Sequence, residues 1–459
     1  MTAIVASQVG RQVAISGLLP QTISFLLEYI TRRADRLSSL LPDENGAGGD
    51  LDRLHFCLVN ACLNSPEFSG LSRTRFIPYG CEEIGANPYA EAFNADLVHQ
   101  PWQAERSAAN ASALILDWIK GKPIGQLERR HRGLRAGGIN GLAGETSWAL
   151  AGLANTLAVA TRRDLYDAER PTVMRGVTTD TIANMRRLMG TLRLLIWRLN
   201  VGLPTEVLWM SELRTPEGRS AVSRNEALAL HAAGLGSFEV LRQRNNWEPV
   251  IEALRTAGVA AAQLRAQLIQ GLANEWRLVV RQRCRDAQIR RIGQADTPLL
   301  NSFYDAREKA FEAALEGLLG RAGIGFSLFD DGSRPGAFDY FIHVPQRPDL
   351  AFECKSKQGN GLVDLNSARV VLASSEQYGF GALSCVTVCQ PGVDPNVPGQ
   401  LQACGRLALV ETHELAEGLV RVIQGRLTPA GFHDWLAQPG QARIEGLAEY
   451  AGLAPGRDG

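Results

Sequence analysis

A change of texture near residue 324 constrains this chain more than any other feature. Before it the sequence runs in Leu/Ala/Arg segments with apolar residues at helical spacing, broken by Gly and Pro. The clearest are "SAANASALILDWIKG" (107–121) and "LLNSFYDAREKAFEAALEGLLGRAG" (299–323). After it come short β-rich runs: "FDYFIHV" (338–344), "LAFECKS" (350–356), "ALSCVTV" (382–388) and "RLALVET" (406–412). Helical segments follow the second run (362–379) and the fourth (413–425, entered from Thr412 as N-cap). Helix–strand–strand–helix–strand–strand–helix is the order of a compact α/β unit on a mixed central sheet. The chain therefore reads as multidomain, with a mostly α-helical N-terminal region and a C-terminal α/β domain. The boundary falls near 295, at "GQADTP". A chain of 459 residues also exceeds one ordinary core.

Composition narrows the class without choosing a partner. Hydrophobic residues make up 45% and charged residues 21%, the profile of a soluble globular protein. Lys plus Arg equals Asp plus Glu, 48 each, so a nucleic-acid partner would have to be met by local basic faces. The N-terminus lacks the basic start and apolar core of a signal peptide, and no run of ~18 apolar residues occurs. The eight cysteines (57, 62, 81, 284, 354, 385, 389, 404) form no CxxC pair or zinc spacing. Cys385 and Cys389 read as free thiols in a buried strand, and the expected compartment is cytoplasmic.

The stretch "RPDLAFECKSKQ" (347–358) holds two candidate aspartates for one site. "PQRPD" is a Pro-rich connection suited to a hairpin between the first two strands. Pairing 344 with 350 sets Asp339 opposite Lys355, and side-chain alternation then puts Asp339, Glu353 and Lys355 on one face. Phe338, Tyr340, Phe352 and Cys354 take the other. Asp349 lies in the turn and cannot cross to Glu353. Two carboxylates on one face are costly unless neutralised, and a hard cation such as Mg²⁺ (or Mn²⁺) does so while leaving room for a phosphate. Lys355 could then stabilise charge on that phosphate or deprotonate the attacking water. A surface hairpin with a cross-strand Asp–Lys pair remains the plainer alternative. His343, on the same face, is a packed or solvent-facing residue before it is a ligand. Arg369 is a solvated helix residue that could reach a phosphate.

"AFEAALEGLLGRAG" followed by "GAFDYFIHV…LAFECKSK" and, later, "GRLALVETHELAEGLVRVI" resembles the PD-(D/E)xK nuclease superfamily, particularly its Mrr-like restriction endonuclease branch. The likeness covers about 300 to 425, with Phe311, Glu312, Gly323, Asp339, Glu353 and Lys355 in the family's order. It implies a restriction-endonuclease-like domain over 296–426. It also makes Glu312 the helix glutamate that helps hold the metal with Asp339 and Glu353; Glu308 is its competitor. Many Mrr-like enzymes carry Gln where this chain has Glu353.

The N-terminal two thirds has no GxxxxGK[ST] loop and no DExH-type box, so the chain by itself is not expected to hydrolyse ATP. Segments 6–27, 51–68 and 115–154, then "LNVGLPTEVLWMSEL" and "EGRSAVSRNEALALHAAGLGSFEVL", resemble the accessory parts of superfamily-two DNA helicases without the motor. The resemblance implies a winged-helix remnant (1–45), a ratchet-like bundle (46–200) and a helix-hairpin-helix-like segment (201–250). A basic helical linker (251–295) and a tail (427–459) complete the division, and "DENGAGGD" (43–50) reads as a flexible loop. Gly218, Arg219, Ser220 and Arg224 stand where such a hairpin turn would meet a backbone phosphate. "ERRHRGLR" (128–135) concentrates charge, and Arg277, Arg281 and Arg285 recur every four residues as one stripe. A path for DNA along these basic runs is the expectation. The implied whole is a Mg²⁺-dependent DNA nuclease subunit working with a separately encoded helicase, in prokaryotic defence against foreign DNA. The alternatives are an inactive accessory subunit and an RNA-directed nuclease.

Overall fold

The computed structural model describes residues 7–42, 48–69, 89, 91–92, 95, 97–98, 105–130, 134–162, 164–359 and 361–447. The chain divides into two compact units, 1–236 and 237–459.

The first unit is helical. Its main helices are α1 (Gln8–Ser16), α2 (Pro20–Ser38), α3 (Leu51–Leu63), α4 (Glu105–Ile119), α5 (Ala136–Ala160), α6 (Thr179–Val201) and α7 (Arg224–Ala232). Pro20 opens α2, where its missing N–H costs nothing, and Ile23, Leu26, Leu27 and Ile30 recur at helical spacing to enter the core. α5 is rich in Gly and Ala because it is approached closely: a Cβ on Gly152 would lie 2.4 Å from the Leu18 side chain. α1 and α2 thus pack into the same unit as the bundle, and the described apolar residues of 7–42 are largely used internally. The segment expected to be a winged-helix remnant forms no separate body.

The second unit carries α8 (Phe238–Arg242), α9 (Trp247–Thr256), α10 (Ala262–Ile292), α11 (Thr297–Asp305) and α12 (Glu308–Ala322) ahead of the sheet. The strands are β1 (Gly325–Leu328), β2 (Tyr340–His343), β3 (Leu350–Ser356), β4 (Ser384–Gln390), β5 (Leu407–Glu411) and β6 (Gly440–Ala442). Helices α13 (Val370–Gln377), α14 (Thr412–Ile423) and α15 (Pro429–Leu436) complete the unit. The strands lie in chain order, with β1–β2–β3 antiparallel and β3–β4–β5–β6 parallel, the mixed sheet expected. Alternation sorts the strand residues into two layers. Tyr340, Ile342, Phe352, Val386 and Val410 pack against Phe311, Leu315 and Leu419, while Ala351, Cys385, Cys389 and Leu409 pack against Val371. Cys385 and Cys389 are buried free thiols, as their strand context implied.

Several boundaries differ from the sequence reading. The helix expected over 299–323 is two, because Ala306 and Arg307 take extended conformations and break it without Gly or Pro. Residues 251–295 are not a linker. α10 belongs to the C-terminal unit: Gln288 Nε2 donates to the His413 carbonyl at 2.9 Å, and Arg291 pairs with Glu417 of α14. The division therefore falls at Gly236/Ser237 rather than near 295. The tail holds α15 and β6, and its residues 448–459 lie outside the described residues, as do 43–47 of the expected loop.

Candidate active site

Tyr340 pairs with Phe352 and Ile342 with Leu350, two residues out of the register read from the sequence. Continuing this ladder by one step sets Asp339, and not Phe341, opposite Glu353. A slip of two keeps every side chain on its face, so the grouping of Asp339, Glu353 and Lys355 survives the error. Phe338 does not follow its expected layer. The chain bends at Asp339, and Phe338 joins Phe329, Phe341 and Phe380 on the opposite side.

Asp339 is anchored by its neighbour strand: its Oδ2 accepts the Cys354 N–H at 2.6 Å. Glu353 is 3% exposed, and its Oε1 is held by the Lys355 ammonium. Its Oε2 is buried and accepts no hydrogen bond. Burial, followed by the facing charge of Glu353, pushes the Asp339 carboxyl up to about 7 against the pull of the Cys354 amide. Burial also raises Glu353; Lys355 opposes this, and the Asp330 carboxylate adds to it. Burial works against the Lys355 charge, but Glu353 and Asp339 hold the ammonium above the ordinary lysine range. Lys355 is therefore a cation in this site.

Glu312, on the second turn of α12, is half-buried and raised by burial and by Glu316 and Asp330, with Lys309 and Lys355 opposing. Glu308 is exposed, and its backbone N–H donates to Ser356 Oγ at 3.0 Å. The helix thus turns Glu312, and not Glu308, toward the charges of the strand pair. Asp330 carries no signal in the sequence reading. It follows β1 closely, and the Phe329 N–H donates to the Asp339 carbonyl at 2.8 Å, so recognising β1 would have placed it here. Glu316 was missed as well, and accepts the Tyr340 hydroxyl at 2.8 Å.

Asp349 sits outside the strands, where its Oδ1 meets His343 Nδ1 at 2.8 Å; His343 Nε2 contacts Ser327 Oγ at 2.8 Å. Both are engaged away from Glu353. Arg369 is exposed and donates to Asn366.

The basic positions fare differently. Gly218 and Arg219 occupy an exposed turn closed by the Arg214–Ser220 bridge, with Gly218 at φ 79°. Arg224 is withdrawn from solvent as a brace: it donates to the carbonyls of Gly202, Trp118 and Lys122 and stacks on Trp118 at 4.0 Å. Gly202 makes this possible, since a Cβ there would lie 2.3 Å from the Trp118 ring. The Arg277–Arg281–Arg285 stripe is one face of α10, as its spacing required, but that face points inward. Arg281 donates to the Tyr304 carbonyl and to Gln390 Oε1, and Arg285 grips Asp305 with two bonds of 2.7 and 2.8 Å. Arg277 is buried. The helix is inside-out, with Leu264, Leu278 and Val279 exposed. Within "ERRHRGLR", Arg130 pairs with Asp117 at 2.8 Å, and 131–133 lie outside the described residues.

Among the described residues, no three His, Cys, Asp or Glu side chains converge closely enough to hold a metal unaided. The donors still suit one kind of cation. Mg²⁺ is commonly held by one or two carboxylates with water and substrate phosphate completing its shell. Asp339 and Glu353, with an unfilled carboxylate oxygen, are such a pair. No known protein family and no curated protein matches the chain. Among the described residues, no single helix is long and apolar enough to cross a membrane.

Proposed function

We propose that this chain is a metal-dependent phosphodiesterase acting on nucleic acid, with Asp339, Glu353 and Lys355 at the reacting centre and Glu312 beside them. The Glu353 carboxylate carries the reading. It is buried, held on one oxygen by Lys355, unfilled on the other, and faces a second carboxylate. Such a pair is costly as it stands and lowers its energy by taking a hard cation. A bound Mg²⁺ or Mn²⁺ supplies charge neutralisation and polarises a phosphate. Asp339, pinned through Oδ2, keeps its other oxygen for that task. Lys355, already charged, offers its ammonium to negative charge developing on the phosphoryl oxygens and is poorly suited to take a proton from water. Glu312 adds a carboxylate from the helix side.

DNA as substrate, a separately encoded superfamily-two helicase as partner, and a role in prokaryotic defence belong to the same proposal and rest on the sequence resemblances. Incubating the purified chain with DNA or RNA in Mg²⁺, Mn²⁺ or EDTA tests it. Cation-dependent DNA cleavage, lost in Glu353→Gln, is the expected result. No cleavage of either polymer, with or without a helicase recovered by affinity purification, would make this an inactive accessory subunit. Cleavage confined to RNA would overturn the DNA assignment.

A further inference from the structure

The second unit contains a cavity of ≈ 340 Å³ whose lining includes neither Glu353 nor Asp339. Its lining includes Arg242 from α8, Asn274 and Arg277 from α10, and Asp394 and Asn396 from the segment after β4. Both arginines are nearly out of water, at 8% and 7% exposure. Arg242 donates through Nε to Asn274 Oδ1 at 3.1 Å and stacks over Phe238 at 4.7 Å, yet its Nη2 is buried without an acceptor. Arg277 Nη1 is buried without an acceptor too. A guanidinium cannot shed its proton to escape such a position. These two also feel each other's charge, which makes the arrangement costlier still.

The nearby acids do not fill the vacant donors. Glu411, at the end of β5, offsets both cations through space, but its Oε1 accepts the Val393 N–H at 2.9 Å. The other Glu411 oxygen lies 3.5 Å from His413. Asp394 Oδ1 takes the backbone and side-chain N–H groups of Asn396 at 2.9 and 2.7 Å. Arg242 and Arg277, with Arg244, therefore line a cavity of mixed polarity that also carries the Glu275 and Asp394 carboxylates. It has room for a tetrahedral oxyanion and its waters, and the two unfilled nitrogens lie just behind its wall.

Position in the fold points the same way. Leu362 lies beyond β3, Asp394 and Asn396 beyond β4, and Glu411 closes β5, so the cavity sits outside the carboxyl ends of the parallel strands. Ligands of open α/β sheets gather there. We infer that this cavity is a phosphate-binding site in which Arg242 and Arg277 are the ligating side chains. The phosphate comes either from a nucleic-acid backbone or from a free phosphate or phosphorylated small molecule; the donors suit both.

The inference does not rest on the phosphodiesterase reading, because its first test reads no cleavage. The melting temperature of the full chain is compared in inorganic phosphate and in chloride at equal ionic strength. Wild type should gain roughly 3–6 °C from phosphate. Arg277→Met should gain nothing, while melting close to wild type in chloride, since it removes a buried charge with an unfilled donor that Glu411 offsets only through space. A second arm measures fluorescence anisotropy of a short single-stranded oligonucleotide without divalent cation. If the backbone is the source, Arg277→Met weakens binding about tenfold and lowers the salt slope by about one. If a small molecule is the source, phosphate stabilisation alone is lost. A wild type indifferent to phosphate and an oligonucleotide affinity unchanged by Arg277→Met would together overturn the inference, as would phosphate stabilisation retained in that variant. Should Arg277→Met fail to fold, the wild-type comparison of phosphate with chloride decides.

Discussion

Glu353 and Asp349 carry the same kind of group four positions apart, and their surroundings give them opposite expectations. Glu353 is buried with an unfilled oxygen, whereas Asp349 is partly exposed and satisfied by His343. Glu353→Gln and Asp339→Asn should each lower cleavage by about a hundredfold or more while raising the stability of the metal-free protein by about 1 kcal/mol. Asp349→Ala should leave cleavage intact and cost about 0–1 kcal/mol, as expected of an exposed pair. Steady-state cleavage beside melting curves in EDTA checks both; a dead Asp349→Ala with active Asp339→Asn would reverse the assignment. A second prediction concerns His55, fully buried in the first unit. Burial, followed by the Arg198 charge, lowers its pKa from 6.5 to about 4. The native state holds it neutral while the unfolded chain protonates it, so its contribution is complete above pH 6.5 and lost as pH falls toward 4. The shift corresponds to roughly 3 kcal/mol over that window. His55→Leu should flatten the acid limb of a stability–pH profile; an unchanged limb would dismiss the histidine as its cause.

At the scale of elements, legibility followed burial. β2 to β5 were readable because each alternates or runs apolar between turn residues, and Asp339, Glu353 and Lys355 grouped correctly because face depends only on parity. The register itself was two residues off, since "PQRPD" fixes a hairpin without fixing where its ladder closes. β1 and β6 escaped because both are short and largely unburied, and with β1 went Asp330. The α10 stripe shows the opposite failure. Four-residue spacing says that Arg277, Arg281 and Arg285 share a face, but composition cannot say which side that face meets when the partners of Arg281 and Arg285 are distant in sequence. Arg281→Ala should therefore act on folding, costing about 1–2 kcal/mol by removing two charge-assisted hydrogen bonds at the joint of α10, α11 and β4, although the Tyr304 carbonyl keeps Gln390 Nε2 and Gln390 Oε1 keeps the Thr412 hydroxyl. Arg285→Ala, whose Asp305 partner is exposed, should cost no more than about 1 kcal/mol. Denaturant titration of the two variants measures this; an Arg281→Ala protein of wild-type stability but weakened DNA affinity would restore the surface reading.

At the scale of the whole molecule, the division at Gly236/Ser237 makes a statement about which fragments can live alone. A fragment beginning at 296, where the change of texture suggested a boundary, would lack α10. It would strip Arg291 from the buried Glu417 carboxylate, Gln288 from the Tyr304 hydroxyl and the His413 carbonyl, and Ile292 from the core. Arg291 and Arg421 together hold Glu417 below the usual carboxylate range against its burial, and Arg421 alone would remain. A buried charge that loses a partner costs about 3–5 kcal/mol, a large part of what a domain of this size has to spare. Residues 237–459 should therefore fold as a soluble, cooperatively melting unit that keeps any cleavage activity, and 296–459 should not. By the same logic, deleting residues 1–45 removes α1 and α2 with Ile23, Leu26, Leu27 and Ile30 from the first unit's core. That deletion should unfold the first unit. Circular dichroism and melting of the two C-terminal fragments settle the boundary: a well-folded 296–459 would put it back near 295 and reduce α10 to an appendage.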